Sequence, residues 1–128
     1  MNIEEARDFA LSLPFATEDE FAEGWISYRV DGKWFMLIEL AAPEPRLTLK
    51  FSPAEGEMLR GLYPEILPGF HMNHRHWSNI YLQGTLRDDF IESLIRRSYA
   101  LVASALKKSS PVYSAVREMA ESCLAAPI

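Results

Sequence analysis

The sequence has a single cysteine, Cys123, so it can close no internal disulfide, and a reducing cytoplasm is the expected compartment. Its apolar runs fall far short of the roughly 20 residues of a bilayer span, and no basic-then-apolar signal order opens the chain. The six glycines stand singly, which excludes phosphate-cradling glycine loops and GxGxxG dinucleotide fingerprints. GxSxG and HExxH are also absent, so neither a serine nucleophile elbow nor a helical zinc pair is on offer. An excess of basic residues is missing as well. The net charge is −5, which argues against a polyanionic partner.

The charge is uneven, however. Residues 1–23 set Arg7 against Glu4, Glu5, Asp8, Glu18, Asp19, Glu20 and Glu23, whereas the middle of the chain is neutral to slightly basic. A chain of 128 residues with 48% apolar content is expected to form one domain, burying roughly two-thirds of its unfolded surface.

Asn2 and Glu5 form a capping pair ahead of Ile3, Ala6, Phe9, Ala10 and Leu13 at helical spacing, and Pro14 ends that helix. The acidic stretch ATEDEFAEG reads as a loop. WISYRV and KWFMLIEL then read as strands joined by Asp31-Gly32, the pair that a type I′ hairpin turn favours. RLTLKF alternates, with Leu47, Leu49 and Phe51 on one face and Arg46, Thr48 and Lys50 on the other. Ser52-Pro53-Ala54-Glu55 reads as a capping box opening a helix to about Leu62, with Met58, Leu59 and Leu62 inward. YPEILPGF breaks it, and a short strand near Ser78–Leu82 follows. Thr85 and Asp88 are the expected cap of the longest helix, whose Glu92 and Arg96 make an exposed pair. The tail at Val112–Cys123 suggests one more helix. Grouped strands and a tight hairpin give an α+β fold with a mostly antiparallel sheet.

The segment PGFHMNHRHW holds His71, His74 and His76 at a spacing that neither a helix nor a strand gathers on one side. Without nearby cysteine, a loop-shaping role outweighs a metal site. An enzyme centred on His71 and His76 would need a pocket holding both rings. Arg29, Lys33, Arg46, Lys50 and Arg75 could meet phosphates if strand pairing gathers them, with Trp25 or Trp34 at the edge. The same pattern also fits solvated charges on a sheet.

Four stretches, ARDFALSLP, VDGKWF, LTLKFSP and YPEILPGFHMNHRHWSNIYLQG, together with LIRRSYALVASALKK, resemble the MmcQ/YjbR family of small bacterial proteins over about residues 1–108. The resemblance places His71, Met72, Asn73, His76 and Trp77 at recurring positions, and His74 and Arg75 in a variable basic gap. It implies a two-layer α+β fold with helices on one face, order α-β-β-β-α-β-β-α, similar to type III secretion chaperones, with a short strand around Phe70–Met72. It also implies DNA binding through a double-wing arrangement, with no catalytic residues, metal or cofactor. Residues 109–128 are a C-terminal extension beyond the family's usual end.

The expectation is thus a cytoplasmic, monomeric, non-enzymatic protein that binds double-stranded DNA weakly and salt-sensitively. Lys33, Arg46, Lys50 and Arg75 would contact phosphates, and His71, Asn73, His76 and Trp77 would shape the loop presenting Arg75. Positive charge should then lie away from residues 17–23. The alternative is a protein–protein interaction module using an apolar sheet face or the tail helix.

Overall fold

The computed structural model describes residues 1–69 and 72–128. Among these the order is α1 (Ile3–Ser12), β1 (Ala16–Ala22), β2 (Trp25–Val30), β3 (Lys33–Glu39), β4 (Arg46–Lys50), α2 (Pro53–Leu62), β5 (Ile66–Pro68), β6 (Trp77–Tyr81), α3 (Asp88–Ser104) and α4 (Pro111–Ala125). The strands form one antiparallel sheet in the order β1-β2-β3-β4-β6-β5. This is the expected α+β arrangement with one strand added at its start.

The local signals explain most elements. Asn2 and Glu5 close a reciprocal capping box at α1. Asp31 (φ 49°) and Gly32 (φ 76°) make the hairpin turn with both residues at positive φ. Ser52 caps α2 with Pro53 in its first turn.

Several expectations are corrected. ATEDEFAEG is not a loop, because Ala16–Ala22 is an edge strand laddered along β2. The carboxylate of Glu55 does not return to Ser52 but pairs with Arg97. Met58 and Leu62 are exposed, and α2 turns Gly56 and Leu59 inward instead. Thr85 does not cap α3; its N–H and hydroxyl both donate to Glu65. Arg96 lies over the Phe9 ring, 5.3 Å from its centroid. The short strand of YPEILPGF is Ile66–Pro68, paired with β6. The strand expected around Phe70–Met72 falls largely outside the described residues.

Helices cover one face of the sheet. Ile26, Tyr28, Val30, Phe35, Met36, Ile38, Leu47, Leu49 and Ile80 point to α3 and its neighbours in a single buried cluster. Each fully buried large apolar side chain contributes about 1.5–3 kcal/mol, so this layer dominates stability. The same cluster takes in Val116 and Ala120 of α4, which packs chiefly on α3.

The second face is not simply solvated. Its central row of Ser27, Leu37, Thr48 and Asn79 is buried. Met72 lies over this face, where it shares a hollow with Phe21, Trp25, Trp34 and Leu37.

Candidate functional site

Strand register sorts the second face into transverse rows, because residues opposite one another in antiparallel strands share a face. At one end Arg29 faces Trp34 and Lys50 faces Trp77. The guanidinium of Arg29 lies 5.9 Å from the Trp34 centroid, and the Lys50 ammonium 6.0 Å from that of Trp77. Cation and indole thus alternate along this row. At the other end Trp25 faces Glu39 and Arg46 faces Tyr81. There Arg46 donates to Glu39 at 2.7 Å and lies 5.8 Å from the Tyr81 centroid.

The four expected phosphate contacts therefore divide. Lys33 and Lys50 come together at the end where β3 begins and β4 stops, lining one groove of about 450 Å3 with Gly32, Trp34, Trp77, Val102 and Ala105. Arg75 belongs to the turn that enters β6 at the same end. In that turn Asn73 Oδ1 accepts from the Arg75 N–H, and the Asn73 carbonyl accepts from the N–H groups of His76 and Trp77. The His76 carbonyl in turn accepts from the Phe51 N–H at 2.8 Å, fastening the turn to the end of β4. Arg46 does not join them. It begins the strand that Lys50 ends, four residues or about 13 Å away, and its charge is met by Glu39.

Among the described residues, none of the ammonium or guanidinium groups of Lys33, Lys50 and Arg75 takes part in an ion pair. All three are partly or fully exposed. Sequence reasoning overlooked two further cations at this end. Lys107 and Lys108 follow α3, and the Ser110 hydroxyl two residues on donates to Asp31 of the hairpin turn at 2.8 Å, drawing that segment alongside. Only the tertiary path reveals this, since the two segments lie far apart in sequence.

The acidic block lies on the same sheet but runs away from the basic end. β1 pairs Ala16 with Val30 there and carries Glu18, Asp19 and Glu20 progressively towards the other end. Two of its charges are already answered, Glu18 by Arg7 and Asp19 by Arg29. The guanidinium of Arg7 and then the hydroxyl of Tyr28 hold the Glu18 carboxyl below the ordinary carboxylate value.

No cluster of three metal-ligating side chains occurs among the described residues. His71 lies outside them, so its place in the loop is not described. No helix among them is long and apolar enough to cross a membrane.

Comparison with known proteins agrees with the fold. The family model for YjbR matches residues 11–101. The chain is 33% identical over 106 residues to the uncharacterised protein YbdF of Escherichia coli O157:H7, covering 82% of this chain and 87% of that protein. It is 31% identical over 108 residues to the uncharacterised protein YjbR of E. coli K12, covering 83% and 91%. Among solved structures it resembles a Deinococcus radiodurans protein with a DUF419 domain, at TM-score 0.78 and 28% identity over 94% of this chain and 88% of that one. A Pseudomonas syringae protein matches at TM-score 0.69 and 27% identity, over 80% and 99%.

Proposed function

The chain belongs to the YjbR family, and from the chemistry at the basic end of its sheet we propose that it binds nucleic acid without catalysing a reaction, through backbone phosphates. Lys33, Lys50 and Arg75 make the ion pairs, and the turn ordered by Asn73 presents Arg75. The observation that carries this reading is the groove lined by both Lys33 and Lys50, two ammonium groups with no carboxylate answering them among the described residues. Two cations held close without counter-charges repel each other, and a phosphodiester relieves that repulsion. Arg46, neutralised by Glu39, is left out of the contact set.

Fluorescence anisotropy of a labelled duplex at about 50 and 200 mM salt tests it. Weak binding, on the order of 10⁻⁴ to 10⁻⁶ M, should weaken at the higher salt and disappear in a Lys33→Glu/Lys50→Glu variant. Binding indifferent to both changes would sink the phosphate contacts.

One observation favours a second reading, a protein-interaction module. The hollow of about 570 Å3 among Phe21, Trp25, Trp34, Leu37 and Met72 is mostly apolar, with Glu39 its one charged lining residue, and could take a partner's side chain. The tail helix does not contribute to it, because α4 already spends its apolar face on α3.

A further inference from the structure

We infer that the groove at the basic end takes a single-stranded nucleic acid in preference to a duplex, with a base seated against Trp34 over the apolar floor. This rests on the phosphate contacts proposed above and adds the base. The two lysines supply only part of the groove's surface. Trp34 is half-buried, Trp77 is 8% exposed beneath Lys50, and Val102 of α3 with Ala105 just after it completes an apolar lining. Phosphate alone has no use for such a floor, whereas a planar base does.

Trp34 is held ready for this contact. It is the wall shared by the groove and the neighbouring hollow. Phe21, at 4.7 Å between centroids, and Arg29, at 5.9 Å, hold its indole from the side of β1 and β2. Trp34 also lines the groove with Lys50, and that is the side on which a ligand would meet it. An aromatic ring fixed by its neighbours loses little entropy when a base stacks on it.

The two strand forms differ in what they can offer. A duplex keeps its bases stacked inside, so its phosphates can reach Lys33 and Lys50 while the floor of the groove stays hydrated. A single strand can rotate a base inward and still leave its flanking phosphates at the two ammonium groups. The groove's volume of about 450 Å3 lies within the range of sites that enclose a small molecule, and suits one nucleotide unit. No side chain lining it offers a hydrogen-bonding pattern that would separate one base from another, so binding should tolerate any sequence.

The test compares three labelled probes at low salt: an oligothymidylate of about ten nucleotides, an abasic strand of equal length and charge, and a duplex. The oligothymidylate should bind about tenfold more tightly than either of the others, the order expected from one stacked base. A Trp34→Ala variant should lose that margin while keeping the weaker, salt-sensitive binding. Equal binding of the thymidylate and abasic strands to the unaltered protein would overturn the base contact and leave the phosphate contacts standing. That comparison needs no variant, so a folding defect in Trp34→Ala cannot obscure it. A margin that survives in a folded Trp34→Ala would also overturn the inference. No binding of any probe would remove both readings together.

Discussion

Arg96 and Arg97 are neighbours with opposite fates. Arg96 is exposed over Phe9, whereas Arg97 is buried at 8% exposure and joins three helices. Its guanidinium pairs with Glu55 of α2 and donates to the carbonyls of Cys123, Leu124 and Ala126 at the end of α4. The Cys123 carbonyl also accepts from the Ala126 N–H, and carbonyls of a last helical turn otherwise lack i+4 partners, so Arg97 acts as a C-terminal cap of α4 from outside it. Removing one member of such a buried pair strands the other. Arg97→Ala should therefore cost about 3 kcal/mol in urea unfolding, with the amides of α4 losing exchange protection first. Arg96→Ala should cost under about 1 kcal/mol. Similar losses for the two variants would show that Arg97 is not the tie described. Nothing in the dipeptide itself distinguishes them: burial was legible only from helical phase, and Glu55 had a plausible local role at the start of α2.

Two of the contacts that hold the elements around the site can be probed directly. β1 is tied to α1 and β2 where Arg7, Glu18 and Tyr28 meet, and the Arg7 guanidinium holds the Glu18 carboxyl below its ordinary value of 4.5. A carboxyl whose folded value is lowered adds stability that is complete above its unfolded value and is lost as pH falls through the folded one. The urea midpoint should thus drop as pH goes below 4.5, and drop less in Glu18→Gln. Glu65 and Asp89, also lowered, remain in both proteins, so the difference between the two curves isolates Glu18. Parallel curves would mean that the cluster does not hold the strand. At the other edge Gly69 donates to the Trp77 carbonyl, and a Cβ there would lie 3.0 Å from that oxygen. Since backbone cannot yield as a side chain can, Gly69→Ala should destabilise by about 1–3 kcal/mol. An unchanged melting curve would show that the strand end adjusts freely.

The same elements mark how far the sequence could be read. The hairpin, β4 and the starts of α1 and α2 carry turn or capping chemistry within a few residues, and each lies where that chemistry places it. β1 was hidden by its acidity: every residue of this edge strand after Ala16 is exposed, so no buried face marks it and its pattern resembles a solvated loop. β5 was masked by flanking prolines, since only Ile66 of its three residues is buried. For the site, the basic residues were legible but their grouping was not. Lys50 and Arg46 share one face by simple alternation, and only pairing with β3 reveals that Glu39 claims Arg46. The irregularity between Tyr28 and Arg29 sets Phe35 into the core and Trp34 on the second face, whereas a period-two count from Leu37 would have put Phe35 on the second face and Trp34 in the core.

At the scale of the whole molecule the question is how a chain of net charge −5 could attract a polyanion. Its long-range field opposes association, so steering should be weak and affinity must come from contacts made inside a Debye length of about 8–10 Å. The acidic strand begins two strands from Lys33 and three from Lys50, about 10–14 Å away, and its nearest charges are taken by Arg7 and Arg29. At physiological salt the basic end is therefore largely screened from it. This fixes the form of the salt dependence. Three phosphate contacts to a single strand release about two counterions, so log K against log salt should fall with a slope of about −2. Between about 50 and 200 mM that amounts to roughly a twentyfold loss. A slope much steeper would recruit Lys107 and Lys108, which lie beside the hairpin turn, into the contact set. A slope near zero would mean that the groove holds its ligand by its indoles and floor, with the lysines as bystanders. The Lys33→Glu/Lys50→Glu variant separates these cases, because only true phosphate contacts make the slope itself, and not merely the affinity, change with the substitution.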